Sequence, residues 1–387
     1  MRSSLAISTV AALLVGLFAS AEPADAGGPI AFRICQYNVH FDYTDDGPTH
    51  RWVTRRDRCA ELLLQCKATI ACIQEDKADQ VQDLKDRMPG WEFVGRGRNA
   101  NGSGERTSIC FKTDTWKCLD HGDFWLSDTP DTPGSNTFGS EYCHKATWAK
   151  MELTSHGSSG QVTVISTHLD DRPPMDEPRR KSAVCIRNYV RDHFKKDNIV
   201  ICGDFNSAVT DESHKVMADT SIEPPLYDTW DCSRHNEPSS GTVHHWTGTA
   251  KTKRIDWIFI GGKVSADSMN FDRYNKNGDY GSYHFAVCAD LELGAGSSTK
   301  PAAAPKPEGK ASDKPAVSGE PVVAKPAADQ PKPTAQPLKP TGKPWEEPSA
   351  AQPAGPGYDT SGVPDSPPPF EPGLSPLDPP TTPIKKN

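Results

Sequence analysis

Five apolar runs in this chain each carry, at or near one end, a residue able to hold a cation or move a proton. Ile34-Cys35-Gln36-Tyr37 leads into Asn38, Thr69 to Ile73 leads through Gln74 into Glu75, and QVTVIST (161–167) leads into His168. IVIC (199–202) passes Gly203 to reach Asp204 and Asn206, and RIDWIFI (254–260) holds Asp256 inside an otherwise apolar stretch. A single such end reads as a turn, because Asp and Asn readily hydrogen-bond their own backbone there. Five on strands of one domain can converge on one rim, the place where open α/β sheets bind ligands. Carboxylates and amide oxygens with no Cys among them suit a hard cation, Mg²⁺ or Ca²⁺. Magnesium held by few carboxylates commonly shares its shell with substrate phosphate. The His and remaining carboxylates then supply proton transfer. The residue types therefore point to metal-assisted phosphoester hydrolysis.

Those side chains need a scaffold. The apolar runs bounded by turn residues read as buried strands, and period-two geometry would aim Asp204 and Asn206 the same way if their strand continues through both. Between the strands, Cys59, Leu62, Leu63 and Cys66 share one helical face, and Val81, Leu84 and Met88 share another. Pro178 sits just inside a third helix whose apolar face is Ala183, Ile186, Tyr189 and Val190. The pattern is that of an α/β protein with largely buried sheets.

The ends of the chain have a different character. Residues 1–26 run from Arg2 through an apolar segment to Ala24-Asp25-Ala26, the layout of a secretory signal peptide. The apolar run is short for a membrane span, so a secreted, extracellular protein is expected. Beyond Leu293 there is no Cys, and 23 of the 35 prolines fall there. So few apolar residues cannot offset the entropy of ordering, which predicts a disordered tail over 294–387 with polyproline character. Such a tail acts as a solubilising segment or as a spacer contacting the cell wall or other surfaces. The stretch between, 30–293, is long enough for one large domain and is read as a monomer. It holds 32 Lys and Arg against 39 Asp and Glu, a net of −7, which is poor for non-specific duplex binding through many phosphates. All eleven cysteines lie between Cys35 and Cys288, and an exported protein would be expected to pair several of them as disulfides.

In order along the chain, QYN (36–38), IQE (73–75), GER (104–106), STHLD (166–170), GDFNS (203–207), RIDW (254–257) and SYHFAV (282–287) resemble the motifs of the endonuclease/exonuclease/phosphatase superfamily. The resemblance spans about 32–292. It implies a four-layer sandwich: two mostly antiparallel β-sheets face to face, with helices outside. It also implies site roles. Glu75 is the principal metal ligand and Asn38 lies beside it, also near the substrate phosphate. Glu105 orients His168, which contacts the scissile phosphate. Asp204 positions or deprotonates the attacking water, Asn206 holds the phosphate, and Asp256 pairs with His284. Arg179 is a further phosphate contact in this reading. The implied cofactor is Mg²⁺, with Mn²⁺ and Ca²⁺ as alternatives.

Two residues depart from the pattern. Tyr283 of Ser282-Tyr283-His284 stands where the family usually carries Asp, and a phenol cannot replace that charge at neutral pH. His144 stands where related members often carry Arg. Three functional classes follow. The leading expectation is a secreted Mg²⁺-dependent, nuclease-like phosphodiesterase acting on a nucleic acid or small phosphorylated molecule. The others are a phosphomonoesterase or sphingomyelinase-like lipid phosphodiesterase, and a non-catalytic binding protein that keeps the fold.

Overall fold

The computed structural model describes residues 28–294 except 173–174, 236, 238–240 and 251–252. The expected leader (1–26) and, beyond Gly294, the expected tail lie outside them. The strands are β1 (Ile30–Asn38), β2 (Ile70–Gln74), β3 (Trp91–Val94), β4 (Ile109–Lys112), β5 (Trp116–Trp125), β6 (Lys145–Leu153) and β7 (Gln161–His168). They continue with β8 (Ile199–Asp204), β9 (Leu226–Asp228), β10 (Asp256–Gly261), β11 (Val264–Asp272), β12 (Asn275–Lys276), β13 (Asp279–Tyr280) and β14 (Ala286–Leu293). The helices are α1 (Trp52–Gln65), α2 (Ala78–Arg87), α3 (Asp176–His193), α4 (Glu212–Ala218) and the short α5 (Thr229–Cys232).

Two six-stranded sheets carry the fold, in the orders β11-β14-β1-β2-β4-β3 and β5-β6-β7-β8-β10-β9. Each is antiparallel except for one central parallel pair, β1 with β2 in the first sheet and β7 with β8 in the second. The sheets pack face to face: Ile34, Ile70, Ile109 and Phe111 of the first meet Met151, Val164, Val200 and Ile258 of the second in one buried cluster. On the outer face of the first sheet, Cys35, Tyr37 and Ile73 pack under Leu62 and Leu63 of α1 and Leu84 of α2. On the outer face of the second, Ile165, Ile199 and Ile201 pack under Ala183, Ile186 and Val190 of α3. This is the expected four-layer sandwich, and all three expected helices form.

Strand alternation explains where the polar residues end up, since every second side chain faces the same way. Along β1, Phe32 and Ile34 enter the core between the sheets, and Gln36 and Asn38 keep the same parity. The sequence β7 Val162, Val164, Ser166, His168 and the sequence β8 Val200, Cys202, Asp204 run the same way. The inter-sheet layer is thus apolar at one end and polar at the other. In the second sheet the parallel pair sets His168 opposite Asp204, and the antiparallel neighbour sets Asp256 opposite Asp204. Gly203 permits this register: a Cβ there would meet Thr167 O at 2.6 Å and Thr167 Cγ2 at 2.7 Å.

The cysteines do not follow expectation. All eleven are free thiols, and nine of them are buried. The nine buried ones pack within the layers, a common place for free Cys.

Candidate active site

The polar floor of the site is a pair of glutamines linking the two sheets. Gln36 Nε2 donates to Gln74 Oε1 (2.6 Å) and Gln74 Nε2 donates back to Gln36 Oε1 (2.8 Å). Gln36 also donates to Asp256 Oδ1 (3.1 Å), and Gln74 donates to Ser166 Oγ (3.1 Å) across the sandwich. With all four residues buried, these bonds satisfy groups whose desolvation would otherwise cost roughly 1–3 kcal/mol each.

Above that floor, Asn38 Nδ2 donates to Glu75 Oε1 (2.7 Å) and Asp204 Oδ2 (2.9 Å), so one amide ties the first sheet's carboxylate to the second sheet's. His168 Nε2 faces the same two carboxylates at 3.9 and 3.8 Å. His284 Nε2 approaches Asp204 Oδ2 from the other side at 3.7 Å, while its Nδ1 lies 2.9 Å from Asp256 Oδ2. Ser282 supports this corner: its Oγ donates to Asn38 O (2.7 Å) and accepts from His284 N (3.2 Å). Asn206 Nδ2 lies 3.1 Å from His168 Nε2 and donates to Leu169 O (2.9 Å). The strand does not carry Asn206 into place, because β8 stops at Asp204. A left-handed turn does so instead, with Asn206 at φ 48° and its N–H donating to Asp204 Oδ1 (3.0 Å). Glu75 too sits at positive φ, 61°, a backbone state that non-glycine residues hold only where the surroundings enforce it.

The electrostatics separate the acids. Burial alone would raise Glu75, but the His40 hydrogen bond, aided by the charges of His168 and His40 and by Asn38, holds it well below the usual carboxylate range. Asp204 goes the other way, pushed up to about 6 by burial and then by the charge of Asp256. Burial opposes a charge on His284, yet Asp256 outweighs it and lifts the imidazole to about 9. Neighbouring acids driven apart in this way mark a site arranged for proton transfer.

His40 escaped the sequence reading. Its Nδ1 lies 3.0 Å from Glu75 Oε2, its Nε2 lies 2.5 Å from Asp46 Oδ2, and its backbone N–H donates to Asn38 Oδ1 (2.9 Å). The signal was available, because His40 extends the Gln36, Asn38 series by two residues. The fully buried Arg55 of α1 fastens the turn on which His40 sits, donating to the carbonyls of Val39, His40, Phe41 (3.0 Å) and Gly281 (2.9 Å). Tyr283 closes the rim, with its ring 4.5 Å from that of His40 and 4.7 Å from that of His284.

Two expected roles are placed differently. Glu105 does not hydrogen-bond His168; its Oε2 accepts from Arg98 Nη1 (3.0 Å), the nearer cation in its own loop. Arg179 does not point to the rim as a phosphate contact. Its Nη1 donates to the carbonyls of Asp170 (3.0 Å) and Arg172 (3.3 Å), and its Nη2 to Asp176 Oδ1 (2.6 Å), so it clamps the loop before α3. The backbone of His168 is held by His144, whose Nδ1 lies 3.0 Å from His168 O. Burial, and then His168, depress that imidazole to about 3, so His144 stays neutral where Arg would bring a charge.

The donor set fits a hard divalent cation. Glu75, His168 and Asp204 present ligand atoms that all lie within 4.8 Å of one another, as do Asp204, Asp256 and His284. Glu75 is the residue electrostatically prepared to stay ionised. The Asn38 amide turns its nitrogen to the two carboxylates, which take a donor between them, and its oxygen to His40 N. To offer that oxygen to a cation the amide would rotate.

A four-layer sandwich with this constellation at one rim defines a phosphoester-hydrolysing class, and the comparisons agree. The model of the Endonuclease/Exonuclease/phosphatase family matches residues 35–284. The chain belongs to that family, whose members are metal-dependent phosphoester hydrolases, and it is an enzyme of that class. Among solved structures, the endonuclease/exonuclease/phosphatase from Bacteroides vulgatus is 25% identical with a TM-score of 0.63, covering 68% of this chain and 99% of that one. The mannosyl-6-phosphatase of Bacteroides thetaiotaomicron is 22% identical with a TM-score of 0.61, covering 67% and 99%. The human Nocturnin catalytic domain with bound sulfate is 20% identical with a TM-score of 0.53, covering 68% and 93%. No curated protein matches the chain.

Proposed function

We propose that this protein is an exported, Mg²⁺-dependent phosphoesterase acting on a compact phosphorylated molecule. One observation carries the chemistry: Asp204 Oδ2 stands between His168 (3.8 Å) and His284 (3.7 Å), directly beside the Asn38–Glu75 pair. Glu75, with Asn38 beside it, would hold the cation, which when bound polarises the phosphate and offsets its charge. Asp204, with a carboxyl raised toward neutrality, accepts a proton from the attacking water. His284, kept cationic by Asp256, and His168 face the phosphate and stabilise the charge that builds on its oxygens. Asn206 fixes the orientation of His168 and offers its amide at the same point.

The surroundings favour a compact substrate over a nucleic acid backbone. Arg98 is paired with Glu105, Arg172 with Asp170 and Glu141, and Arg179 with Asp176. A polyanion would have to displace these acids, and the net charge of −7 over 30–293 opposes it further. A mannosyl-6-phosphatase among the structural neighbours is compatible with this reading. The nuclease-like diesterase remains the second reading, supported by a neighbour from D. rerio whose structure holds a single-stranded DNA product.

The test is hydrolysis by the purified chain with Mg²⁺, Mn²⁺ or Ca²⁺ against sugar phosphates, other phosphomonoesters, sphingomyelin, RNA and plasmid DNA. Glu75→Gln is nearly isosteric and should abolish turnover while leaving the fold intact. Full activity of that variant, or of the wild type in excess chelator, sinks the metal mechanism; turnover of DNA alone selects the second reading. Export is tested separately, by an N-terminus at or just after Ala26 in protein recovered outside the cell.

A further inference from the structure

Away from the catalytic rim, on the outer face of the first sheet, three thiols converge from three directions. Cys35 lies on β1, Cys288 lies directly opposite it on β14, and Cys66 caps the C-terminus of α1 above them. Their sulfur atoms all lie within 4.8 Å of one another. Cys35 and Cys288 are fully buried, while Cys66 is 6% exposed and gives the group its contact with the surface.

Packing alone does not require three sulfurs to meet at one point, and a disulfide is a poor account of them. Residues directly opposite on antiparallel strands hold their Cβ atoms about 4.5–5.5 Å apart, whereas a disulfide wants about 3.8 Å. A bond from Cys66 to either strand would leave the third thiol stranded in the same spot. Three soft donors around one point are instead a ligand set. Structural zinc is almost always four-coordinate, and this group contributes three ligands. Thiolates in a set of three suit a thiophilic d¹⁰ cation, of which Cu⁺ is the physiological member that accepts threefold coordination.

We propose that Cys35, Cys66 and Cys288 form a trigonal thiolate site for Cu⁺, reached past Cys66 and separate from the hydrolytic centre. Cys66, the least buried of the three, is the ligand an entering ion meets first, and binding displaces the thiol protons. Three thiolates with Cu⁺ carry a net charge of −2; the charged neighbours are Arg33, itself paired with Asp290 at 3.3 Å, and the carboxylate of Asp272. The site would also staple the end of α1 to the β1–β14 pair, so the bound form should melt at a higher temperature.

The experiment titrates the reduced full-length chain against a chromogenic cuprous chelator and reads the Cu⁺ withdrawn. The wild type should remove one tightly held equivalent, with a rise in Tm. Cys66→Ser, Cys66→Ala and Cys35→Ser should each weaken that equivalent by more than the roughly hundredfold seen when an outer-shell partner is lost. Cys143→Ser, in the distant 143–144 segment, should keep it. Two variants at Cys66 guard against misfolding, which circular dichroism before the titration detects. Failure of the wild type to withdraw Cu⁺ overturns the proposal. So does undiminished withdrawal by both Cys66 variants, or a peptide map of exported protein showing two of the three cysteines joined as a disulfide.

Discussion

The carboxylate of Asp256 and the imidazole of His284, from neighbouring strand ends of different sheets, meet at 2.9 Å between Oδ2 and Nδ1. Both are buried, and the attraction outweighs the cost of burying a cation, lifting His284 to about 9 from its usual 6.5. A base whose folded value is raised keeps its stabilising contribution fully below the unfolded value. It loses that contribution as pH rises through the folded one. Tm should therefore fall between about 6.5 and 9 in wild type and fall less in His284→Ala. Activity should climb through about 6, where Asp204 becomes a base, and decline through about 9. His284→Ala should lose at least roughly a hundredfold in rate, the low end for acid–base groups. A pH–rate profile beside thermal melts checks both, and equal rates for variant and wild type would remove His284 from the chemistry.

Arg179 separates a phosphate contact from a structural clamp. Its three bonds run to Asp170 O, Arg172 O and Asp176 Oδ1, and its Nε finds no partner among the described residues. Arg179→Ala should lower Tm by several degrees, as loss of buried bonds to a charged group costs roughly 1.5–3 kcal/mol. At a temperature where the variant is folded, KM should stay within about twofold of wild type, since no binding group has been removed. A large rise in KM with an unchanged Tm would restore the phosphate role.

These two residues show where sequence reasoning reaches and where it stops. Asp256 was legible because a carboxylate inside RIDWIFI breaks an otherwise apolar period-two pattern, and buried strands tolerate that only with a partner. Asn38, His168 and Asp204 were legible for the same reason: each is the polar continuation of an inward-facing series. That the two parallel pairs meet at one rim came from the ordered motifs, because strand patterns do not say which sheet a strand joins. Glu105 and Arg179 were misplaced because long side chains choose partners by local loop geometry, which spacing does not encode. Asn206 reaches the site through a positive-φ turn, so the strand argument predicted its position through the wrong geometry. The cysteines carried an expectation drawn from cellular compartment, and β-sheet register placed two of them where a disulfide fits poorly.

Tyr283 is the departure with a direct electrostatic consequence. Burial, and then Glu75 and Asp204, hold its phenol well above the ordinary value, so it is neutral at every working pH and adds no charge at the rim. Tyr283→Asp introduces a carboxylate beside His40 and His284. The Mg²⁺ concentration giving half-maximal rate should drop by roughly fivefold, equivalent to about 1 kcal/mol for a partly solvated charge. The alkaline limb should also move upward, because an added negative charge favours the imidazolium. Measuring rate against Mg²⁺ at several pH values tests both. An unchanged metal requirement would show that this corner is remote from the cation.

His40 holds the other oxygen of Glu75, the carboxylate proposed to take the cation. Glu75 Oε1 is taken by Asn38, while Oε2 receives both the His40 ring at 3.0 Å and the backbone N–H of Phe41 at 3.2 Å. Asp46 and Arg55 fix the ring and its turn in place. His40→Ala removes one of the three hydrogen bonds that fix how Glu75 turns, without touching a reacting atom. The expected result is an increase of about 10–100-fold in the Mg²⁺ needed for half-maximal rate, the usual cost of losing a partner behind a metal ligand. The rate at saturating Mg²⁺ should change much less. His40→Asn, whose amide can still donate toward Glu75, should recover part of the loss. A fall in saturated rate with an unaltered metal requirement would instead place His40 in contact with the substrate.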